Sequence, residues 1–350
     1  ILARDLIKAW NCLPSMHALL PHAFVFAALC SSAWAAGAPA KAPVAVTGST
    51  GKLGRRAVQQ LVEQGYPVRC LLRHDYSAAR PSEAPEATSE EVAAWLATMP
   101  GVTMVPGDVT NRESVIELLR GCSACLAMHG ASRMTQLTDL LPWVDETSEA
   151  THAKRVNFEG VRHIIEAARA SSTCKRIVRV TGKGEQPWSF VAILINGLGS
   201  MAKAWNFEGE RLLRACDDID YTIVRPGMLT PGAKLEDVSL VLADDGGDLK
   251  VSSIPHESVA QLCVRCLDYP NAARSTLCAM TAPGGEGASS WDPLLSKVSA
   301  DRRKFPGDEL FKSHEFAVFV GGVLLASFAV GFLVGAFSLI RSLLPSPGGI

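Results

Sequence analysis

The sequence predicts an α/β fold, a doubly wound parallel sheet followed by a C-terminal transmembrane helix, and three observations carry that prediction. Short segments rich in Val and Ile alternate with amphipathic segments from Val44 to about Ala282, the pattern of parallel strands covered by helices on both faces. Three glycines, Gly48, Gly51 and Gly54, stand three apart where the first strand passes into the first helix. From Phe316 to Ile340 the chain reads FAVFVGGVLLASFAVGFLVGAFSLI without a charge, bounded by Glu315 and Arg341. At about 1.5 Å per residue that run crosses a hydrocarbon core of about 30 Å.

The elements follow in order. Val44–Val46 is a strand, KLGRRAVQQLVEQG a helix closed by Gly65, and PVRCLLR a second strand. In the excursion PSEAPEATSEEVAAWLATMPG, Thr88 and Glu91 sit at capping-box spacing, and Val92, Trp95, Leu96 and Met99 share one helical face. VTMVPGD and ACLAMHG are strands separated by the helix RESVIELLRG. A long helix is expected from about Thr151 to Ala170, on the stripe Val161, Ile164, Ile165 and Ala168. RIVRVTG and YTIVRPG are later strands, with one helix expected between them from about Asn196 to Cys216.

Composition bounds the function. The chain has 350 residues, 48% of them apolar, and a formal net charge of −1. It can bury a sizeable core, and it lacks the basic footprint expected of a nucleic-acid partner. Residues 1–36, with Arg4 and Lys8 ahead of ALLPHAFVFAALCSSAWA, read as a cleaved signal or targeting segment ending in a small-x-small pattern. Residues 42–299 are expected to form the α/β domain, 300–315 a mixed-charge linker, and 316–340 the membrane helix. Ser327, Gly331 and Gly335 place small residues every fourth position along that helix, where a partner helix could approach.

The glycines have a physical task in this strand–turn–helix context. Gly48 permits a tight turn, Gly51 lets the backbone approach a pyrophosphate, and Gly54 lets the helix pack close. The helix N-terminus offers unpaired N–H groups and partial positive charge to the phosphates. The whole turn, Gly48, Ser49, Thr50, Gly51, Lys52, Leu53 and Gly54, is therefore the expected dinucleotide cradle of a Rossmann-like sheet. An acidic residue at the end of the second strand would select a ribose 2′-hydroxyl. Here that strand ends in Arg73, which suits a 2′-phosphate, so NADP(H) is expected over NAD(H), although Asp75 follows closely.

With TGSTGKLG, Arg73, GDVTN, VNFEGVRHIIEAA, RIVRVTG and IDYTIVRPGMLT, the chain resembles the atypical short-chain dehydrogenase/reductase group, the NmrA-like NAD(P)-binding proteins, over roughly Val44 to Ala282. The resemblance implies that Asp108 and Val109 flank the adenine, Met128 to Gly130 pass the ribose, and Pro226 to Met228 lie near the nicotinamide. It also implies a Tyr four residues before a Lys on the helix after the fifth strand, the acid and its charge partner. The four tyrosines, Tyr66, Tyr76, Tyr221 and Tyr269, are followed four residues on by Cys70, Arg80, Arg225 and Ala273. Alignment through Glu210 and Leu213 puts Ala202 and Asn206 at the pair's places. Weak substitutes are Thr181, near the family's Ser, with Lys183, Lys203 and His129; the lysines are more often solvated surface groups, Thr181 a turn cap and His129 a loop histidine.

Ten cysteines include Cys122-x-x-Cys125 and Cys263-x-x-Cys266. They fall where core residues are expected, so packing is favoured over metal or redox chemistry. Two functions remain open. One is a membrane-anchored NADPH-dependent reductase of a small or lipophilic substrate. The other is a non-catalytic NADPH-holding scaffold, sensor or assembly factor partnered with membrane proteins. The expected membrane is that of a plastid or of the secretory pathway, and the residues do not choose between them.

Overall fold

The computed structural model describes residues 41–140, 143–232, 238–247, 249–250 and 252–343. The chain divides into two units, residues 1–41 and 42–350, and the second contains the sheet and its helices. The expected targeting segment, residues 1–36, lies outside the described residues.

Val44–Thr47 (β1) leads through the glycine turn into Gly54–Glu63 (α1), and Val68–Leu72 (β2) follows a left-handed Gly65. Ser89–Ala97 (α2) carries the complete capping box: Thr88 accepts from the Glu91 amide while the Glu91 carboxylate accepts from the Thr88 amide. Val102–Pro106 (β3), Arg112–Leu119 (α3) and Ala124–Ala127 (β4) complete the first half. The second half holds Gly160–Ser171 (α4), Arg176–Val180 (β5), Phe190–Leu198 (α5), Ala202–Arg214 (α6) and Asp220–Pro226 (β6). Met228–Thr230 (β7), Leu240–Ala243 (β8), Ser253–Pro255 (β9), His256–Arg265 (α7), Ser275–Thr281 (β10), Trp291–Leu295 (α8) and Glu309–Leu343 (α9) end the described chain.

The main sheet runs β3-β2-β1-β4-β5-β6-β10-β8, parallel except for β8, and β7 pairs with β9 in a small second sheet. Strand residues alternate between the two faces, as a pleat requires. Val44 and Val46 join Leu126 in a core with Val58 and Leu61 of α1 and Val259 and Leu262 of α7. Ala45 and Cys125 point the other way, to Leu118 of α3, Ile164 of α4 and Leu213 of α6. The strand order reverses between β1 and β4, so the crevice at their C-terminal ends is where such a sheet binds ligands.

Two expected helices are built differently. The helix before α4 opens with a π-helical segment, Lys154–Glu159, which turns Asn157 into the interior. The single helix expected from Asn196 to Cys216 is two. α5 ends at Leu198, Ser200 and Met201 take left-handed backbone, and α6 restarts at Ala202. Asn196 stabilises the restart: its Oδ1 accepts from the amides of Lys203 (3.0 Å) and Ala204 (3.1 Å), satisfying two donors that a helix start leaves unpaired.

The segment expected as a linker, 300–315, is bound to the domain. Asp301 accepts from the Thr276 hydroxyl (2.7 Å) and from Tyr221 (3.0 Å), and the Phe305 ring lies between the guanidiniums of Arg214 and Arg303. Phe311 packs on Trp205 of α6, and His314 is fully buried. From Val323 onward the side chains of α9 are mostly exposed apolar groups.

Candidate functional site

The first cleft opens where the topology places it. About 430 Å³ in volume, it is lined by Gly48, Thr50 and Gly51 of the glycine turn, by Arg73 and His74 after β2, by Asp108 and Val109 after β3, and by Met128–Ser132 after β4. Gly48 has left-handed backbone, and a Cβ there would lie 2.8 Å from the Met128 carbonyl oxygen and the His129 amide nitrogen. A Cβ on Gly54 would run into the Gly48 carbonyl. Bare backbone is thus needed at both positions, and the cradle this leaves fits a dinucleotide's phosphates at the start of α1.

The turn divides its labour. Thr50 and Gly51 face the cleft, whereas Ser49 is buried with its hydroxyl donating to the Leu71 carbonyl (3.3 Å), and Leu53 packs into the core. Gly54 acts by packing under Gly48, and Lys52 is exposed beside the cleft, outside its lining. The expected cradle therefore narrows to Gly48, Thr50 and Gly51 as cleft-facing residues. Arg73 stands at the far end, half exposed, its Nε 4.0 Å from Asp108 Oδ2. Asp108 Oδ1 accepts from the Thr110 amide (2.8 Å) and hydroxyl (2.9 Å), which fixes the turn after β3. Ser89, the first residue of α2, lines the cleft beside Arg73 and His74. Sequence reasoning missed it because α2 lies in an excursion whose docking position no local pattern specifies.

His129 lines this cleft. It is buried, its Nδ1 is 2.7 Å from Thr47 Oγ1, and burial, then the nearby Arg179 guanidinium, hold its pKa well below the ordinary histidine value. Burial and the neighbouring cation both favour the neutral ring, the loop-histidine alternative offered by the sequence. Arg179 itself was not anticipated. It lies fully buried on β5, donating to the carbonyls of Ala127 (3.1 Å) and His129 (2.5 Å) and to Asn206 Oδ1 (2.9 Å). Burial lowers its pKa to about 10, with Glu210 opposing the shift. An Arg inside the apolar strand RIVRV was the available signal.

The second cleft, also about 430 Å³, lies over the C-terminal ends of β5 and β6. Thr181, Lys183, Lys203, Ala202 and Asn206 line it together with Val191, Ile195, Met228 and Leu229. The places of the missing Tyr and Lys therefore do face a cleft, occupied here by a methyl group and an amide. Thr181 donates its hydroxyl to Glu210 Oε1 (2.6 Å). Glu210 is fully buried; burial raises its pKa, but Arg225 and Arg214 outweigh that and hold it at about 2. Arg225 pairs with Glu210 through two hydrogen bonds and with Glu185 at 2.6 Å, and Arg303 joins Glu185 at 2.6 Å. Thr181 is thus bound to a structural ion network. Lys183 donates to the Leu249 carbonyl (3.2 Å).

Lys203 differs. Among the described residues its ammonium has no hydrogen-bond or ion-pair partner, and its pKa is lowered by burial, then by Lys183 and Arg225. It adjoins Ala202, and Asn157 donates its amide to the Ala202 carbonyl (3.2 Å) while accepting from the Ala131 amide (3.0 Å). Asn157 thereby ties the loop after β4 to the start of α6, which is what its inward turn in the π-helical segment achieves.

The cysteine pairs lie on opposite faces of the sheet, Cys122 and Cys125 in one core and Cys263 and Cys266 in the other. All four are buried, and burial raises each thiol's pKa, to about 11 for Cys122 and about 12 for Cys266. The geometry gives them packing roles.

A Gly-rich cradle at the switch point of a parallel sheet defines a nicotinamide-dinucleotide-binding protein, and comparison with known proteins agrees. Residues 48–270 match the family described as NAD(P)H-binding, and the chain belongs to that family. It is an atypical short-chain dehydrogenase/reductase. Curated relatives include Protein TIC 62, chloroplastic, of Arabidopsis thaliana (25% identical, covering 75% of this chain and 39% of that protein). Others are the photosystem II assembly factor Ycf39 of Trieres chinensis (24%; 66% and 61%) and the isoflavone reductase homolog IRL of Zea mays (26%; 77% and 79%). The chain thus spans well under two thirds of the TIC 62 protein. Among solved structures, a short-chain dehydrogenase/reductase of Veillonella parvula in complex with NADP is similar in fold (TM-score 0.50, 13% identity, 70% of this chain and 97% of that one). So is an oxidoreductase of Lactococcus lactis (0.50, 14%, 74% and 100%).

Proposed function

We propose that the chain is a membrane-anchored, NADPH-dependent reductase of a small, lipophilic carbonyl or enone substrate, working without the Tyr–Lys pair. The observation that carries this reading is Lys203: a cation of lowered pKa, without a partner among the described residues, lining an apolar cleft beside the vacated tyrosine position. When bound, the cofactor supplies a hydride. The chain's own residues then have three tasks. Gly48, Thr50 and Gly51 receive the pyrophosphate; Arg73, with Ser89 and His74, receives the 2′-phosphate; Lys203 donates the proton to the reduced substrate and returns to its charged form from solvent. Val191, Ile195, Met228 and Leu229 exclude water from the substrate.

Anchoring rests on α9, whose stretch Glu309–Ile340 is long and apolar enough to cross a membrane and whose side chains from Val323 to Ile340 are mostly exposed. Two relatives' names, one chloroplastic and one a photosystem II assembly factor, favour a plastid membrane over the secretory pathway. The test is NADPH oxidation by the full chain in liposomes against a panel of quinones and enones, beside Lys203→Met. Turnover lost in the variant with NADPH binding intact supports the reading; turnover unchanged overturns the role of Lys203.

A second reading has its own observation. Ala202 and Asn206 leave the usual acid absent, and Thr181 is committed to Glu210. A non-catalytic NADPH-holding scaffold partnered with membrane proteins would bind the nucleotide without turnover on any substrate, as a name such as assembly factor suits.

A further inference from the structure

We propose that α5, together with Trp188, is an interfacial membrane helix: it lies in the surface layer of the bilayer that α9 crosses and opens the second cleft to lipid. The proposal rests on the reading of α9 as a membrane span and adds a second, lateral contact.

α5 reads FVAILINGL, without a charge. Its three faces have different neighbours. Ala192 and Asn196 face the domain and are buried. Ile193 and Gly197 face α9: a Cβ on Gly321 would lie 2.7 Å from Ile193 Cγ2, and one on Gly197 would lie 3.7 Å from Val318 Cγ1. The third face, Phe190, Val191, Leu194, Ile195 and Leu198, is 44–77% exposed. Residues at i, i+4 and i+8, with a second stripe beside them, form a continuous apolar strip, not scattered surface residues.

The occupant follows from where this strip sits along α9. The uncharged run of α9 starts at Phe316, and Trp188 meets the Phe316 ring edge-on at 5.8 Å. An aromatic pair at the first apolar turn is placed as interfacial aromatics are. Val318 and Gly321, which touch α5, lie about 3 and 8 Å further along the helix axis at 1.5 Å per residue. Interfacial helices bury their apolar face about 5–10 Å into the headgroup–acyl boundary. The two depths agree, so the same lipid layer that receives the first turns of the span reaches the outer face of α5. Val191 and Ile195 belong both to that face and to the second cleft, whose remaining rim carries exposed Met228 and Leu229. A bilayer-dissolved substrate with a polar head could therefore enter sideways, its tail remaining among α5 side chains and its head reaching Lys203.

The experiment uses the full chain in phosphatidylcholine vesicles. All cysteines within the described residues are buried, so Cys12→Ser and Cys30→Ser leave a background for single reporters. Leu194→Cys, Asp217→Cys and Val330→Cys are each labelled with an environment-sensitive fluorophore, and quenching is read with lipid-borne nitroxides at shallow and deep positions and with aqueous iodide. The proposal expects the reporter at position 194 to lose most of its emission to the shallow nitroxide and little to iodide, while the one at exposed position 217 does the reverse. Iodide quenching at 194 equal to that at 217 overturns it, as does shielding from both quenchers, which would mean a protein covers the strip. The reporter at 330 separates the two readings. Deep-nitroxide quenching there, with none at 194, rejects the interfacial helix alone; none at either rejects the membrane span itself.

Discussion

Asn196 and His314 hydrogen-bond across 2.9 Å between α5 and the first turns of α9, with the other nitrogen of the histidine ring 2.7 Å from the Gly184 carbonyl. The two contacts are satisfied together by one neutral tautomer, with Nε2 donating to Gly184 and Nδ1 accepting from Asn196. The same asparagine caps α6 through its carbonyl oxygen. One side chain therefore couples the helix that carries Lys203 to the helix that carries the apolar run.

Asn196→Ala removes the acceptor of two helix-start amides and leaves a buried histidine nitrogen unpaired, for a combined loss of about 2–3 kcal/mol. Thermal unfolding of the full chain in detergent should show the drop. An unchanged midpoint would mean the α5–α6 junction does not depend on this side chain.

Arg179→Met removes one of the two causes that keep His129 neutral. Its pKa should rise towards the ordinary value while staying below it, since burial remains. Nitrogen NMR of labelled histidine would follow the shift. A pKa that stays where it was would show that Arg179 does not act on the ring.

Glu210 gives stability a defined acid limb. Its carboxyl is held at about 2 in the fold against the ordinary 4.5. A depressed acid contributes fully above its unfolded value and loses that contribution as pH falls towards the folded one. Stability should therefore fall between about pH 4.5 and pH 2, a slope that Glu210→Gln lessens. Near neutrality the same substitution should cost about 3–5 kcal/mol, because Arg225 and Arg214 lose their buried counter-charge. Denaturant titrations at several pH values check both parts.

If Lys203 supplies the proton, turnover per encounter falls as pH rises through its lowered pKa, because the acid is the protonated form. The falling limb should lie below the 10.5 of an ordinary lysine and move upward in Lys203→Arg, if that variant retains activity. A pH profile of kcat/KM whose falling limb is unchanged by the substitution would remove Lys203 from the chemistry.

Much of this fold is legible in the sequence, for local reasons. Period-two and helical stripes, the Thr88–Glu91 box and the three glycines specify their own geometry, and each stands where the pattern places it. What was illegible depends on tertiary contact. The break at Ser200 and Met201 requires a buried Asn196 that no helix signal announces, and residues 301–305 are held through Asp301 and through the distant Arg214, whose guanidinium lies on the Phe305 ring. In the candidate site, Ala202 and Asn206 could be placed by alignment alone. The commitment of Thr181 to Glu210, the neutrality of His129 and the buried Arg179 could not, because each is set by burial and by charges on other strands.

The most direct test of the central claim is nucleotide binding by the full chain in detergent, NADPH beside NADH, for the wild type, Arg73→Ala and Gly54→Ala. NADPH should bind the tighter, and Arg73→Ala should weaken it by about 1.5–3 kcal/mol, or about 10- to 150-fold, while NADH is little changed. Gly54→Ala, whose methyl collides with the Gly48 carbonyl, should weaken both. Equal affinity for the two nucleotides, untouched by Arg73→Ala, would contradict the assignment of the 2′-phosphate, and binding of neither would contradict the cradle itself.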